Sequence, residues 1–128
     1  MSVITNEMKT VLTETDIWVL ATADGSGMPN AVPIYYTSVL DDGRLLMVDN
    51  FMKKTVANIA ANTSVSVSVW SGKTGYQFKG KAAVETSGEL FEAGKKMAPK
   101  HSPKGVVVVD VASVYLTSPG PEAGNRIA

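Results

Sequence analysis

The sequence predicts a mainly β (α+β) fold: six antiparallel strands that close, or nearly close, into a barrel flanked by about three helices. Three observations lead there. Six short segments carry strand patterning, either as strict alternation or as β-branched runs. The connections between most of them are short turns, so hairpins outnumber crossovers and the sheet is mainly antiparallel. The chain has 128 residues, 45% of them hydrophobic and 19% charged, a size and balance suited to one globular core. Closing such a sheet removes its exposed edges. There is no internal repeat, low-complexity tract or domain boundary, so residues 1–128 are read as one domain.

Residues 3–15 read as a helix, with Ile4, Met8, Val11 and Leu12 forming one apolar stripe at i, i+4, i+7 and i+8. Residues 17–22 are too few and too apolar for another helix and read as a buried strand, with Trp18 in the core. Asp24-Gly25-Ser26-Gly27 is a turn signal. Residues 29–39, rich in Val, Ile, Tyr and Thr, read as the second strand. Pro33 cannot donate to a ladder, which makes this strand an edge or bulged at that point. Tyr35 and Tyr36 point to opposite faces, one buried and one at a surface or interface. Asp41-Asp42-Gly43 reads as a hairpin turn into strand 44–49.

A helix over about 51–62 follows, with the stripe Met52, Val56, Ile59 and Ala60. Val65 to Trp70 alternates valine with small polar residues at period two, a strand with two unlike faces. Residues 76–86 alternate as well, with Tyr76, Phe78, Ala82 and Val84 on one face. Gly80 interrupts that face and marks a bulge or the close approach of another backbone. Residues 88–98 read as a helix stopped near Pro99. In strand 105–117, the run Val106-Val107-Val108-Val109 implies burial on both faces. The tail 118–128 shows no periodicity and reads as extended loop.

Composition excludes several chemistries. With no Cys there are no disulfides, thiolate nucleophiles or Cys-type zinc and iron–sulfur sites. With one His, His101, no multi-histidine metal site is expected, and no Ser-His-Asp arrangement stands out around it. His101 itself reads as a solvated loop residue. Twelve basic and 12 acidic residues balance to zero, leaving no broad field for nucleic acid or an anionic membrane. The start MSVITNEMKT does not read as a signal peptide, and no apolar run approaches the roughly 20 residues of a membrane helix. The expected compartment is the cytoplasm. Asp110 is an acid within the valine-rich strand, and its surroundings are left open. If the chain is an enzyme, its chemistry has to come from a bound cofactor.

The stretch Asn50-Phe51-Met52-Lys53-Lys54-Thr55 is the most informative. A helix N-terminus carries partial positive charge and unpaired N–H groups, so two lysines there are locally unfavourable. Two readings stand side by side. The lysines are solvated surface residues, or a phosphate satisfies the N–H groups, the ammonium groups and the Thr55 hydroxyl together. Ser71–Gly75 is a weaker anion candidate and reads better as a hairpin loop. Trp70, at a strand end, suits core or interface packing, or stacking on a planar ligand. No nucleotide-binding glycine fingerprint is present.

The order and spacing of these segments resemble the pyridoxamine 5'-phosphate oxidase-like FMN-binding split β-barrel family. The resemblance rests on Val19–Thr22 with the Asp24-Gly25 turn, Pro29–Tyr35, Leu46–Ile59 leading into Val65–Val69, Gly75–Ala82, and Tyr115 to Gly124. It implies a six-stranded split β-barrel, a homodimer and FMN at the subunit interface. By resemblance Lys53, Lys54 and Thr55 match the positions that hold the FMN phosphate. Val48, Asp49 and Asn50 match the strand end beside the ribityl chain and phosphate. Pro33, Ile34 and Tyr35 match the segment whose backbone approaches the flavin ring, and Gln77 lies near a ring-contacting position on the hairpin. This favours the phosphate reading of the lysines.

The expected activity is that of an FMN-dependent oxidoreductase of unknown small-molecule substrate, with no catalytic residue assigned and no metal. The longer oxidases of the family carry C-terminal Trp and Arg residues in their sites. This chain ends Asn125-Arg126-Ile127-Ala128 without such a Trp, so oxidation of pyridoxamine 5'-phosphate itself is not expected. The alternatives are a non-catalytic FMN-binding or electron-transfer protein, or a reductase binding the deazaflavin F420.

Overall fold

The structure, a computed structural model, describes residues 2–128. The elements run α1 (Asn6–Glu14), β1 (Trp18–Ala23), β2 (Pro29–Ile34), β3 (Thr37–Val39), β4 (Leu45–Asp49), α2 (Lys54–Ala61), β5 (Ser64–Ser71), β6 (Thr74–Glu85), α3 (Glu89–Met97) and β7 (Gly105–Leu116). The seven strands form one antiparallel sheet in the order β2-β1-β5-β6-β7-β4-β3. The expected second strand is therefore two. It breaks at Tyr35 and Tyr36, and its halves lie at opposite edges of the sheet. Three peptide steps separate Ile34 from Thr37, a reach of about 10 Å at most. The sheet must curl until its edges nearly meet, yet no ladder joins them. The result is an open, split half-barrel of seven strands rather than six.

The core follows the sequence patterns closely. Val107 and Val109 of β7, Leu45 and Met47 of β4, and the valines of β5 point into the curl with Trp18, Leu20 and Phe78. Val106 and Val108 point the other way, with Leu46 and Val48, and are covered by Leu90, Phe91 and Met97 of α3. The four consecutive valines are thus buried on both faces. Gly94 lets α3 settle there, because a Cβ at that position would run into Val106 Cγ1.

The two other helices sit at the two ends of β1. Thr5 caps α1, its hydroxyl accepting from the Met8 N–H, and Met8, Val11 and Leu12 are buried. Trp18 Nε1 donates to the Leu12 carbonyl at 3.1 Å, which pins that end. At the other end, Asn58 of α2 donates to the Thr22 hydroxyl at 3.0 Å. In α2 the buried pair is Thr55 and Ile59, with Val56 half-buried. Ala60, expected in its stripe, is exposed, and Met52 precedes the helix. The helix starts at Lys54 rather than near residue 51, because Asp49 accepts the Met52 N–H and forms a turn first.

Gly80 marks the expected irregularity. The β6–β7 register shifts between Lys79 and Gly80, and a Cβ on Gly80 would strike the Asp110 carbonyl. Val84 and Asp110 are exposed. The tail departs from its reading as extended loop. It folds back on β7, with the Ile127 N–H donating to the Val114 carbonyl and the Leu116 N–H to that of Asn125. Ser71 pairs with Thr74 across a two-residue turn at Gly72 and Lys73, an ordinary hairpin. No helix among the described residues is long and apolar enough to cross a membrane.

Candidate functional site

A cavity of about 560 Å³ lies between the edge strand β2, the link that follows it and the stretch from the end of β4 into α2, within the usual range of about 300–1,000 Å³ for small-molecule sites. One wall is β2, through Asn30, Val32, Pro33 and Ile34. The link Tyr35–Tyr36 and Val48 of β4 form its back. Its floor is the turn Asn50–Lys53 and the first residues of α2, Lys54 and Thr55. His101, from the α3–β7 loop, completes the lining.

The residues singled out in the sequence divide accordingly. Pro33, Ile34, Tyr35, Val48, Asn50, Lys53, Lys54 and Thr55 line this one cavity, although they come from three stretches of chain. Asp49 and Gln77 do not line it. Asp49 is buried and turned toward the backbone, its Oδ1 accepting from the Met52 N–H at 2.8 Å. It shapes the turn rather than the cavity wall. Gln77 lies within β6, opposite Ser68 and Tyr115. Trp70 is exposed at the end of β5 and is absent from the lining as well.

The start of α2 lacks the usual compensation of a helix N-terminus. Lys53 is the N-cap and Lys54 the first helical residue; no side chain caps the helix and its first turn holds no acid. α3 shows the opposite and favourable arrangement, with Glu89 and Glu92 in its first turn and Lys95 and Lys96 in its last. A missing cap costs about 1 kcal/mol, and each cation at an N-terminus about 0.3–1 kcal/mol. Together they weigh roughly 2 kcal/mol against α2. An anion at that spot reverses the sign of both effects.

Two further polar groups lie in the lining. Asn50 Oδ1 is buried and has no hydrogen-bond partner among the described residues. A buried acceptor left so is costly and calls for a donor. Thr55, 2% exposed, accepts from Asn30 Nδ2 at 3.2 Å. Its own proton has no acceptor among the described residues.

Sequence reasoning missed His101. Its loop setting predicts a solvated residue, and it is exposed, but its ring stands edge-on to Tyr36 at 5.6 Å and to Phe51 at 5.8 Å. The Pro99–Pro103 segment gives no local sign of this. The position is set by α3 and by partners some 50 to 65 residues away in sequence. Tyr35 and Phe51, at 64% and 79% exposure, leave large apolar surface at the cavity rim. No group of three or more metal-ligating side chains exists among the described residues.

A family model described as pyridoxamine 5'-phosphate oxidase matches residues 4–118. The chain is 38% identical, over 98% of its length and 88% of the relative's, to an uncharacterized protein of Methanocaldococcus jannaschii. Among solved structures it is similar to HupZ of Group A Streptococcus, with a TM-score of 0.82 and 30% identity over 94% of this chain and 99% of that one. The fold is also that of an FMN-binding protein from Syntrophomonas wolfei subsp. wolfei, with a TM-score of 0.77 at 17% identity over 88% of this chain and 84% of that one.

Proposed function

The chain belongs to the pyridoxamine 5'-phosphate oxidase-like family of FMN-binding split β-barrels, and on that premise we propose that it is a cytoplasmic, homodimeric flavoprotein that holds FMN in the cavity between β2 and the start of α2 and acts as an FMN-dependent oxidoreductase on a small molecule. The whole chain serves as one flavin-binding domain. The observation that carries this reading is the start of α2: an uncapped N-terminus bearing Lys53 and Lys54, opening into a cavity whose other walls are largely apolar.

The residues present suit the parts of FMN. Lys53, Lys54, the free N–H groups of α2 and the Thr55 hydroxyl suit a phosphate. Asn50, in the lining beside the lysines, carries an amide group of the kind that suits the hydroxyls of the ribityl chain. The β2 segment Pro33–Tyr35 and the aromatic rim suit a flat, mainly apolar ring. Bound FMN supplies hydride or electron exchange at N5 of that ring. The chain's own part is to bind, orient and shield it. A second copy of the chain covering Tyr35 and Phe51 would remove their apolar surface from water.

Absorption spectroscopy of the purified protein, with mass spectrometry of any released chromophore, tests the reading. A flavin spectrum and an FMN mass are expected, or restoration of both on adding FMN. A protein that stays colourless in excess FMN, or that takes F420 more tightly, overturns it. Turnover of the FMN-loaded protein with NAD(P)H and a panel of oxidants tests the enzymatic part. Sedimentation at micromolar concentration tests the dimer.

A further inference from the structure

The polar cluster beneath the start of α2 ties that helix to β1 and β2, and it has a definite direction. Thr22 on β1 lies directly across from Asn30 on β2 in the ladder. The Thr22 hydroxyl oxygen accepts from two amides, Asn58 Nδ2 at 3.0 Å and Asn30 Nδ2 at 3.3 Å. A hydroxyl oxygen has two lone pairs, so both are taken. Asn30 Nδ2 also donates to Thr55 Oγ1 at 3.2 Å. Thr22 and Thr55 are 5% and 2% exposed, so water does not compete freely for these groups.

Two hydroxyl hydrogens, those of Thr22 and Thr55, are left without an acceptor among the described residues, and of the two residues Thr55 alone lines the cavity. Thr55 Oγ1 is already an acceptor, and its hydrogen has no acceptor among the described residues. Thr55 lines the cavity beside Lys53 and Lys54. We infer that Thr22, Asn30 and Asn58 are positioning residues that fix the Thr55 hydroxyl as a donor toward the FMN phosphate. This rests on the FMN reading above. Thr22 and Asn58 do not line the cavity; their effect passes through the Asn30 amide, which they hold in place by one shared oxygen. Both ends of the cluster are on rigid elements, Thr22 on a sheet strand and Asn58 on α2, so the donor is set before the ligand arrives.

The test compares FMN with riboflavin, which lacks the phosphate, by quenching of flavin fluorescence. Thr55→Val is expected to weaken FMN binding about tenfold or more, the usual scale for a hydrogen bond to a charged group. Thr22→Val is expected to weaken it several-fold, with riboflavin affinity unchanged for both. In the double variant, Thr22→Val is expected to add nothing to the loss from Thr55→Val. Thr22→Ser, which keeps the hydroxyl, is expected to stay near the parent affinity.

Asn58→Ala carries the same test without a substitution in β1, and alanine is the better helix former at that position. Its FMN-selective loss is also expected to vanish in the Thr55→Val background. Equal losses for the two flavins, additive losses in the double variants, or no loss from either Thr22→Val or Asn58→Ala overturn the inference while leaving FMN binding intact. Failure of the parent protein to bind FMN overturns the reading beneath it.

Discussion

The ammonium group of Lys104 donates to the carbonyl oxygen of Met52 at 2.5 Å. The same group stands 3.8 Å from Asp49 Oδ1, and the Lys104 N–H donates to the Asp49 carbonyl at 2.8 Å. One lysine, just before β7, thus closes the turn that leads from β4 into α2. The Asp49 carboxylate is 4% exposed, whereas Lys104 is half exposed, so screening limits the ion pair's worth. Lys104→Met is expected to cost about 1 kcal/mol of stability, from the lost charge-assisted bond. It should also loosen Asn50–Lys53 and weaken FMN binding several-fold. Thermal melts and flavin titration of the same variant check both; a melt and an affinity like the parent's would contradict this account.

Charge at the start of α2 has a separate signature. Lys53→Ala and Lys54→Ala are each expected to remove about 1.5–3 kcal/mol of FMN binding, since ammonium–phosphate contacts are charge-assisted. The apo protein should move the other way, gaining up to about 1 kcal/mol per lysine as the N-terminal repulsion is relieved. FMN affinity that is independent of both lysines and of salt would place the phosphate elsewhere.

Gly94→Ala sets two effects against each other. Alanine is the better helix former by about 1 kcal/mol. Its Cβ, however, would collide with Val106 Cγ1. Val106 is fully buried and short and branched at Cβ, so it has no flexible end to swing away. Overpacking of this kind costs about 1–3 kcal/mol. The expected net result is a lower melting temperature; a higher one would show that α3 can lift off β7 without penalty.

Asp24 carries a pH signature far from the cavity. Its Oδ1 accepts from the Met28 N–H, the Ser26 hydroxyl and the Ser26 N–H at 2.8–2.9 Å. These bonds, the Met28 N–H foremost, hold the carboxyl below its ordinary value of 3.8. The contribution to stability is present above that ordinary value and is lost as pH falls through the depressed native one. Carbon-detected NMR titration is expected to show a midpoint under 3.8 for this carboxyl. Asp24→Ala should move the titration-linked acid unfolding by abolishing this part. A midpoint at or above the ordinary value would remove the turn from the list of acid-sensitive features.

What could be read from the sequence was what side-chain periodicity controls. Met8, Val11 and Leu12 fall on one face because a helix repeats every 3.6 residues. Val106 to Val109 are buried on both faces because no polar residue interrupts them. The Gly80 irregularity was legible because a missing side chain leaves a gap in an alternating pattern. Other features depend on distant parts of the chain. Tyr35 and Tyr36 are good strand residues, and they leave the ladder because the curl carries the chain from one edge to the other. The tail pairs through its backbone, to which side-chain patterns are blind. At the site, Lys53, Lys54 and Thr55 stood out as a charge anomaly on a helix. Asn30 and His101 did not, since what gives them a place is Thr22 and Thr55 for one and Tyr36 and Phe51 for the other.

The two-residue link between the sheet edges also bears on how the molecule assembles. The hairpins β1–β2, β3–β4 and β5–β6 each pair neighbours in sequence, which is rapid, on the order of microseconds in isolation. The pairings of β1 with β5 and of β4 with β7 join distant segments and carry the larger loop-closure entropy. Tyr35 and Tyr36 tether the first two hairpins to each other. Once one of them docks, the near end of the other is held within about 10 Å of it, so the second long-range closure is largely prepaid. Lengthening that tether by a flexible insertion should slow the last folding phase more than it lowers the final stability.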